Sequence, residues 1–91
     1  MIDDLKKRAL HRAKILEGQL RGVERMIENE EYCVDIVTQT LAIQKSLSSL
    51  SRLLVENHLR THVVDMFAAG GEDTDRAIAE LLRLNELTDR G

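Results

Sequence analysis

Residues 36–58, IVTQTLAIQKSLSSLSRLLVENH, decide the fold of this chain. Within them, side chains recur at alternating steps of four and three residues, the spacing of a helix face that packs against other helices along its length. The members of this seam are Ile36, Thr40, Ile43, Leu47, Leu50 and Leu54. The pattern predicts one long helix that ends near Ala68, because Gly70 and Gly71 form a strong stop signal.

Two further helices flank this long one. The first is expected from about Asp3 to Glu28, where apolar residues also recur at helical spacing. The third is expected to start at residues 72–75, whose acidic side chains and threonine suit a helix N-terminus, and to end near Thr88. The sequence therefore predicts an all-α chain of three helices that forms one domain over residues 1–91.

The composition excludes several classes of protein. Five glycines and no proline among 91 residues argue against a fold of many short strands, and 43% apolar residues argue against a disordered chain. No apolar stretch approaches the roughly 18 residues that a membrane span requires. The first residues, MIDDLKKRAL, lack the apolar segment of a secretion signal, and one cysteine cannot form an internal disulfide. We therefore expect a cytoplasmic protein.

The charge of the chain is unevenly distributed. Its formal net charge is −3, yet residues 1–25 contain seven Lys and Arg against four Asp and Glu. An oligomer would gather several of these basic segments on one surface, as a nucleic-acid-binding protein requires. The alternative is that these charges only solvate the faces of helices. Oligomerisation itself is expected, because two shorter helices cannot cover the whole seam of the long one.

Cys33, His58 and His62 form a pattern that indicates metal binding. The two histidines are four residues apart on one helix face, and Cys33 lies on the same stripe but roughly 37 Å from His58 along the helix. Two antiparallel copies that cross near residues 46–47 would bring Cys33 of one copy to the histidines of the other. A thiolate and two imidazoles suit Cu(I) or Zn(II), and imidazole also suits Ni(II) and Co(II). The alternatives are a buried structural cysteine and two exposed polar histidines.

The order of several short motifs is similar to that of a known family. These are Arg12, Glu17-Gly18-Gln19-Leu20-Arg21-Gly22, Tyr32-Cys33-Val34-Asp35-Ile36 and Asn57-His58-Leu59, followed by a short acidic third helix. The chain resembles the CsoR/RcnR family of bacterial metal-sensing transcriptional repressors from about Lys7 to Leu87. The resemblance implies a three-helix protomer, an antiparallel helical dimer and a dimer of dimers. It also implies that the metal-free form binds operator DNA and that metal binding releases it.

The resemblance assigns roles to particular residues. In the copper sensors of the family, the metal ligands correspond to Cys33 of one protomer and to His58 and position 62 of the other. Tyr32 and Glu80 match positions of a polar network around the ligands, which couples the site to the third helix. Such a network fixes the tautomer and orientation of a ligand imidazole.

Two departures from the copper-sensing pattern bear on the signal and on DNA binding. This chain has His62 where copper sensors usually have cysteine, and a Cys-His-His set also resembles the nickel- and cobalt-sensing branch. That branch adds an N-terminal donor, usually histidine, where this chain has Met1, so copper is favoured. The chain also has Ser49 where copper sensors often carry an arginine, and Lys45 and Arg52 are the nearby substitutes.

The function expected from these observations is a Cu(I)-responsive repressor that controls genes for metal export or detoxification. The residues expected to form its DNA-binding face are Arg12, Lys14, Arg21, Lys45 and Arg52. One alternative is the same repressor with Ni(II), Co(II) or Zn(II) as signal. The other is a helical interaction module without regulated DNA binding. An enzyme is not expected, because no glycine-rich phosphate loop and no nucleophile–base pattern occurs in the sequence.

Overall fold

The computed structural model describes residues 1–89, and nearly all of them are helical. The elements are α1 (Asp3–Glu28), α2 (Cys33–His58), a π-helical turn (Leu59–Val63), α3 (Val64–Ala69) and α4 (Glu72–Asp89). The expectation of an all-α chain is confirmed, as are the limits of the first helix and the start of the last. The single domain expected over residues 1–91 includes Arg90 and Gly91, which lie outside the described residues.

The elements form three helical rods, which are α1, the segment from residue 33 to residue 69, and α4. The second rod is continuous, but its winding changes from α-helical to π-helical and back once. Backbone torsions at both ends of the π-helical turn remain right-handed helical, with φ −62° and ψ −43° at His58 and φ −59° and ψ −45° at Val64. The Thr61 hydroxyl donates a 2.7 Å hydrogen bond to the carbonyl oxygen of Asn57, four residues earlier. Such a bond from a helical threonine competes with the backbone ladder and bends the helix. The long helix predicted from the sequence therefore exists, but with a local irregularity that the seam pattern does not reveal.

Two short turns connect the three rods. Between α1 and α2, Glu30 adopts a positive φ of 49°, and the chain reverses direction. After α3, Gly70 and Gly71 adopt φ values of 73° and 56°, a region that disfavours any residue with a Cβ atom. The predicted stop at these two glycines is thus explained by their backbone geometry.

The packed core is small and lies between the start of α1 and the end of α2. Leu5, Ala9 and Leu53 form its buried cluster, against which Ile2 and Leu50 pack. Because the beginning of one helix meets the end of the next, α1 and α2 are antiparallel. This contact fixes the end of α2, where the two histidines of the candidate metal site lie.

The predicted seam of α2 divides between two environments. Ile43 is buried, whereas Leu47 and Leu54 remain 50% and 46% exposed. The protomer is also open in shape, with extents of 58 × 27 × 13 Å and a radius of gyration of 17.6 Å. A compact chain of this length would have a radius of gyration of about 12 Å. The single chain therefore leaves part of its apolar surface uncovered.

No helix within residues 1–89 combines the length and apolar character needed to cross a bilayer.

Candidate metal centre and DNA-binding face

His58 and His62 lie beside each other at the junction between α2 and the π-helical turn. Their ring centroids are 5.2 Å apart and the ring planes are tilted by 30°. His58 is the last residue of α2, and His62 belongs to the π-helical turn, so the change in winding falls between them. Two imidazoles at this separation can direct one nitrogen each towards a common ion.

A carboxylate on α4 fixes the orientation of His58. Nε2 of His58 donates a hydrogen bond to Oε2 of Glu80 at 2.7 Å. A carboxylate only accepts, so the proton lies on Nε2 and the lone pair of Nδ1 remains available to a metal ion. The two side chains are 32% and 39% exposed, so water also reaches the pair. This is the arrangement by which a carboxylate orients a metal-binding imidazole.

A threonine fixes the second imidazole in the same manner. The Thr61 hydroxyl lies 3.2 Å from Nδ1 of His62, and its own proton is donated to the carbonyl of Asn57. The hydroxyl oxygen therefore accepts from Nδ1–H, which leaves the lone pair of His62 Nε2 available. The role of Thr61 is absent from the sequence analysis, although its position directly before a candidate histidine ligand is a usable signal.

Cys33 and Tyr32 lie at the opposite end of α2. Cys33 is the first residue of the helix, exposed and without a disulfide partner, and Tyr32 is 72% exposed. The tyrosine hydroxyl makes no hydrogen bond within residues 1–89, so Glu80 contacts His58 but not Tyr32 in the single chain. Along α2 the cysteine lies roughly 37 Å from His58. The chain thus presents two separate groups of donors, one at each end of the same helix.

A single protomer does not bring three donors together. Within the described part of the chain, no three His, Cys, Asp or Glu side chains lie close enough to hold one ion. One thiolate and two imidazoles with free lone pairs nevertheless fit a soft ion such as Cu(I) in both number and donor type. A second copy of α2 that runs antiparallel to the first would bring the three side chains together.

The basic residues proposed for DNA contact are all on the surface. Arg12, Lys14, Arg21, Lys45 and Arg52 are exposed, and none of them forms an ion pair with another residue in the range 1–89. Their charges are therefore free to neutralise phosphates.

A concave basic patch on α1 extends this surface. It is lined by Lys7, Arg8, His11, Arg12 and Ile15. Of these residues only Arg12 was predicted to contact DNA, although steps of three and four residues from Lys7 to Ile15 indicate a common helix face. Arg8 also pairs with Asp4 at 3.8 Å, a contact on the exposed surface.

The chain is similar to several known proteins. A family model described as "Metal-sensitive transcriptional repressor" matches residues 5–86. The copper-sensing transcriptional repressor CsoR of Bacillus subtilis is 40% identical over 77 residues, which cover 85% of this chain and 74% of that protein. The copper-sensing transcriptional repressor RicR of Mycobacterium tuberculosis is 41% identical over 69 residues, covering 76% of this chain and 72% of that protein.

A solved structure shares the fold. The crystal structure of the copper-sensing repressor CsoR with Cu(I) from Geobacillus thermodenitrificans matches with a TM-score of 0.74 and 32% identity. The match covers 91% of this chain and 86% of that chain.

Proposed function

Because the chain belongs to the family of metal-sensitive transcriptional repressors, we propose that it is a Cu(I)-responsive repressor of the cytoplasm. Its metal-free form binds operator DNA, and Cu(I) lowers the affinity for that DNA. The genes then expressed serve metal export or detoxification. The chain is accordingly a regulator of transcription and not an enzyme.

The oriented pair of His58 and His62 carries this proposal. Glu80 and Thr61 each accept a hydrogen bond from one nitrogen of an imidazole, so the other nitrogen of each ring keeps its lone pair. The lone pairs of His58 Nδ1 and His62 Nε2 are thereby available to an ion. Cys33 of a second protomer supplies the thiolate, and a set of one sulfur and two nitrogens suits three-coordinate Cu(I) better than tetrahedral zinc or octahedral nickel. Relatives at about 40% identity are named as copper sensors, which agrees with this choice.

A second copy of the chain is the partner that completes the site. A groove between α2 and α4 is lined in part by apolar side chains that are exposed or only half-buried in the protomer. These are Leu47, Leu54, Val55, Leu59, Leu84 and Leu87. A helix from a second protomer would cover them, and an antiparallel arrangement brings Cys33 to the partner's histidines. Two such dimers form the tetramer that the family resemblance implies.

DNA binding rests on phosphate neutralisation by the exposed basic residues of α1 and α2. The proposed contacts are Arg12, Lys14, Arg21, Lys45 and Arg52, joined on α1 by the concave basic patch. Metal binding acts on this surface only through a difference in metal affinity between two shapes of the oligomer. Cu(I) therefore releases DNA if the shape that brings Cys33 to His58 and His62 is the shape that fits DNA poorly.

The experiment that tests this function measures metal and DNA binding on the same preparation. Cu(I) is titrated anaerobically against a strong competing chelator, and X-ray absorption at the copper edge then reports its neighbours. Fluorescence anisotropy follows a labelled fragment of the protein's own promoter with and without Cu(I). One Cu(I) per protomer with one sulfur and two nitrogen neighbours, together with release of the fragment, supports the proposal.

Other results would favour the alternatives. Weak Cu(I) binding combined with release by Ni(II), Co(II) or Zn(II) would keep the repressor and change its signal. DNA binding that does not fall steeply with salt would favour a helical interaction module, because binding driven by phosphates must weaken as salt rises.

A further inference from the structure

Asn57 is the polar side chain most deeply placed in the described protomer. It is 8% exposed and is the only polar residue in the buried class among residues 1–89. Its Oδ1 accepts a hydrogen bond from the backbone N–H of Ile2 at 2.9 Å. Leaving a buried acceptor without a donor costs free energy. This bond therefore holds the start of α1 and the end of α2 in one relative position.

The bond fixes the residue at which α1 begins. Ile2 is the N-cap of α1 and has no side-chain oxygen with which to cap the helix. Its carbonyl accepts the first helical hydrogen bond, from the N–H of Lys6 at 2.9 Å. Nearby, Leu5 and Ala9 pack on Leu53, but these apolar contacts have no preferred direction. Asn57 therefore supplies the directional contact between the start of α1 and the end of α2.

The same residue adjoins the candidate metal ligands. Asn57 precedes His58, and successive helical side chains point about 100° apart, so one faces α1 and the other faces Glu80 on α4. The backbone carbonyl of Asn57 accepts the Thr61 hydroxyl, which in turn contacts His62. The backbone of Asn57 is therefore tied by this hydrogen bond to the segment that contains both histidines.

We propose that Asn57 is a positioning residue that couples the metal site to the DNA-binding helix α1. Movement of the backbone at His58 and His62 is passed through its bond to Ile2, which sets the position of the first turn of α1. The basic patch of α1 begins only a few residues later, at Lys7. A hydrogen bond discriminates between two backbone arrangements because it weakens steeply with distance and angle. This inference rests on the function proposed above and adds the route by which its two sites communicate.

The test compares three substitutions. Asn57→Leu removes the acceptor and keeps the size of the side chain, whereas Asn57→Asp keeps an acceptor for Ile2. Leu53→Ala is the matched control, because it weakens the same core without touching the hydrogen bond. Asn57→Ala repeats the first substitution with a smaller side chain if the leucine variant does not fold.

Two readouts are measured for each variant. The first is the ratio of operator affinity without Cu(I) to that with Cu(I), for which ratios of about 5–150 are typical of coupled sites. The second, which needs no DNA, is the change in amide hydrogen exchange of residues 3–6 when Cu(I) binds. Chelator competition gives the Cu(I) affinity itself.

In Asn57→Leu we expect the affinity ratio to fall to about 2 or less, below the range of coupled sites, with Cu(I) affinity close to that of the wild type. The copper-dependent change in exchange at residues 3–6 should also disappear. Asn57→Asp should restore both, and Leu53→Ala should keep both while lowering Tm.

A wild-type ratio in Asn57→Leu, or an equal loss in Leu53→Ala, overturns the inference and leaves the proposed function intact. If wild-type protein does not release DNA on copper addition, the proposed function fails instead. Hydrogen exchange at residues 3–6 then tests the role of Asn57 without DNA. A copper-dependent change that persists in Asn57→Leu overturns that role, and a change confined to the wild type supports it.

Discussion

Glu80 accepts a hydrogen bond from Nε2 of His58 across the interface between α4 and α2, at 2.7 Å. The bond joins the last helix to the residue at which α2 ends and the π-helical turn begins. It leaves Nδ1 of the imidazole free for an ion and makes the position of α4 depend on the charge of that ring. An ion on Nδ1 polarises the ring and strengthens the donation to Glu80. Metal binding at His58 would therefore alter the attachment of α4.

Glu80→Ala should weaken the copper response more than it weakens copper binding. The His58 side chain is 32% exposed, so water can replace the carboxylate as acceptor and keep the same tautomer. We expect Cu(I) affinity to fall by no more than about tenfold, which is the smallest loss typical of removing a hydrogen-bond partner of a metal ligand. The ratio of operator affinities without and with Cu(I) should fall towards one. Chelator competition and DNA anisotropy measure the two quantities.

The matched control for this substitution is Glu86→Ala. Glu86 also lies on α4, but it pairs with Arg83 at 3.5 Å on the exposed surface. It should leave both quantities unchanged. A loss of response in both variants would show that the effect comes from α4 in general and not from the contact with His58.

Cys33→Ser should abolish the copper response while leaving operator binding intact. The cysteine is exposed at the start of α2, so its replacement costs little stability. A hydroxyl is a poor ligand for a soft ion. Cu(I) affinity should therefore fall by more than about 100-fold, the largest loss typical of removing a hydrogen-bond partner of a metal ligand. Chelator competition, DNA anisotropy and thermal unfolding check the three statements. A variant that still released DNA on copper addition would remove Cys33 from the site.

His62→Cys should retain a three-coordinate site and bind Cu(I) more tightly. The substitution exchanges an imidazole for a second thiolate, which soft Cu(I) prefers. X-ray absorption should change from one sulfur and two nitrogen neighbours to two sulfurs and one nitrogen. An unchanged spectrum would mean that position 62 does not contact the metal. Thr61→Val is the companion variant, because it frees the tautomer of His62 and should weaken Cu(I) binding without changing the number of neighbours.

Arg12→Ala should weaken operator binding without changing Cu(I) affinity. Arg12 is exposed and lies in the concave basic patch of α1. Loss of one phosphate contact should lower the slope of log affinity against log salt by about one in each protomer that makes the contact. Arg76→Ala is the control, since Arg76 lies on α4 and pairs with Asp73 at 3.5 Å. Equal losses in both variants would move the DNA-binding face away from α1.

Leu47→Glu should dissociate the oligomer and abolish high-affinity Cu(I) binding together. Leu47 is 50% exposed and lines the apolar groove between α2 and α4. A charge in the middle of a covered apolar interface is costly, whereas an exposed site such as Ala79 should accept glutamate without effect. Analytical ultracentrifugation reports the assembly and chelator competition reports the metal. Tight, three-coordinate Cu(I) binding by a monomer would contradict the shared site.

Some features of the fold could be predicted from the sequence, and others could not. The helix limits were predictable, because glycines at 70 and 71 and an acidic start at Glu72 act through local backbone chemistry. The seam of α2 was also predictable, but not its division between Ile43, which is buried, and Leu47, which is exposed. Helical periodicity identifies an apolar face without saying which of two neighbours will cover it.

The candidate site likewise contains features that the sequence predicted and features that it did not. The types and spacing of Cys33, His58 and His62 indicated metal binding from the sequence, because ligand chemistry resides in the side chains themselves. The contact of Glu80 with His58 was expected only from the family resemblance, since these residues belong to different helices. The contact of Thr61 with His62 was missed, although the two residues are adjacent in the sequence.

The sequence by itself determined the helical rods, the donor atoms available to a metal ion and the membership of a repressor family. Each of these follows from residue types at short and regular spacing. The tertiary structure alone decided which nitrogen of each imidazole keeps its lone pair, and it joined Asn57 to Ile2. The bonds of Asn57 and Glu80 join segments that are far apart in the sequence, so they arise only when the helices pack, whereas the contact of Thr61 with His62 depends on the conformation of two adjacent residues.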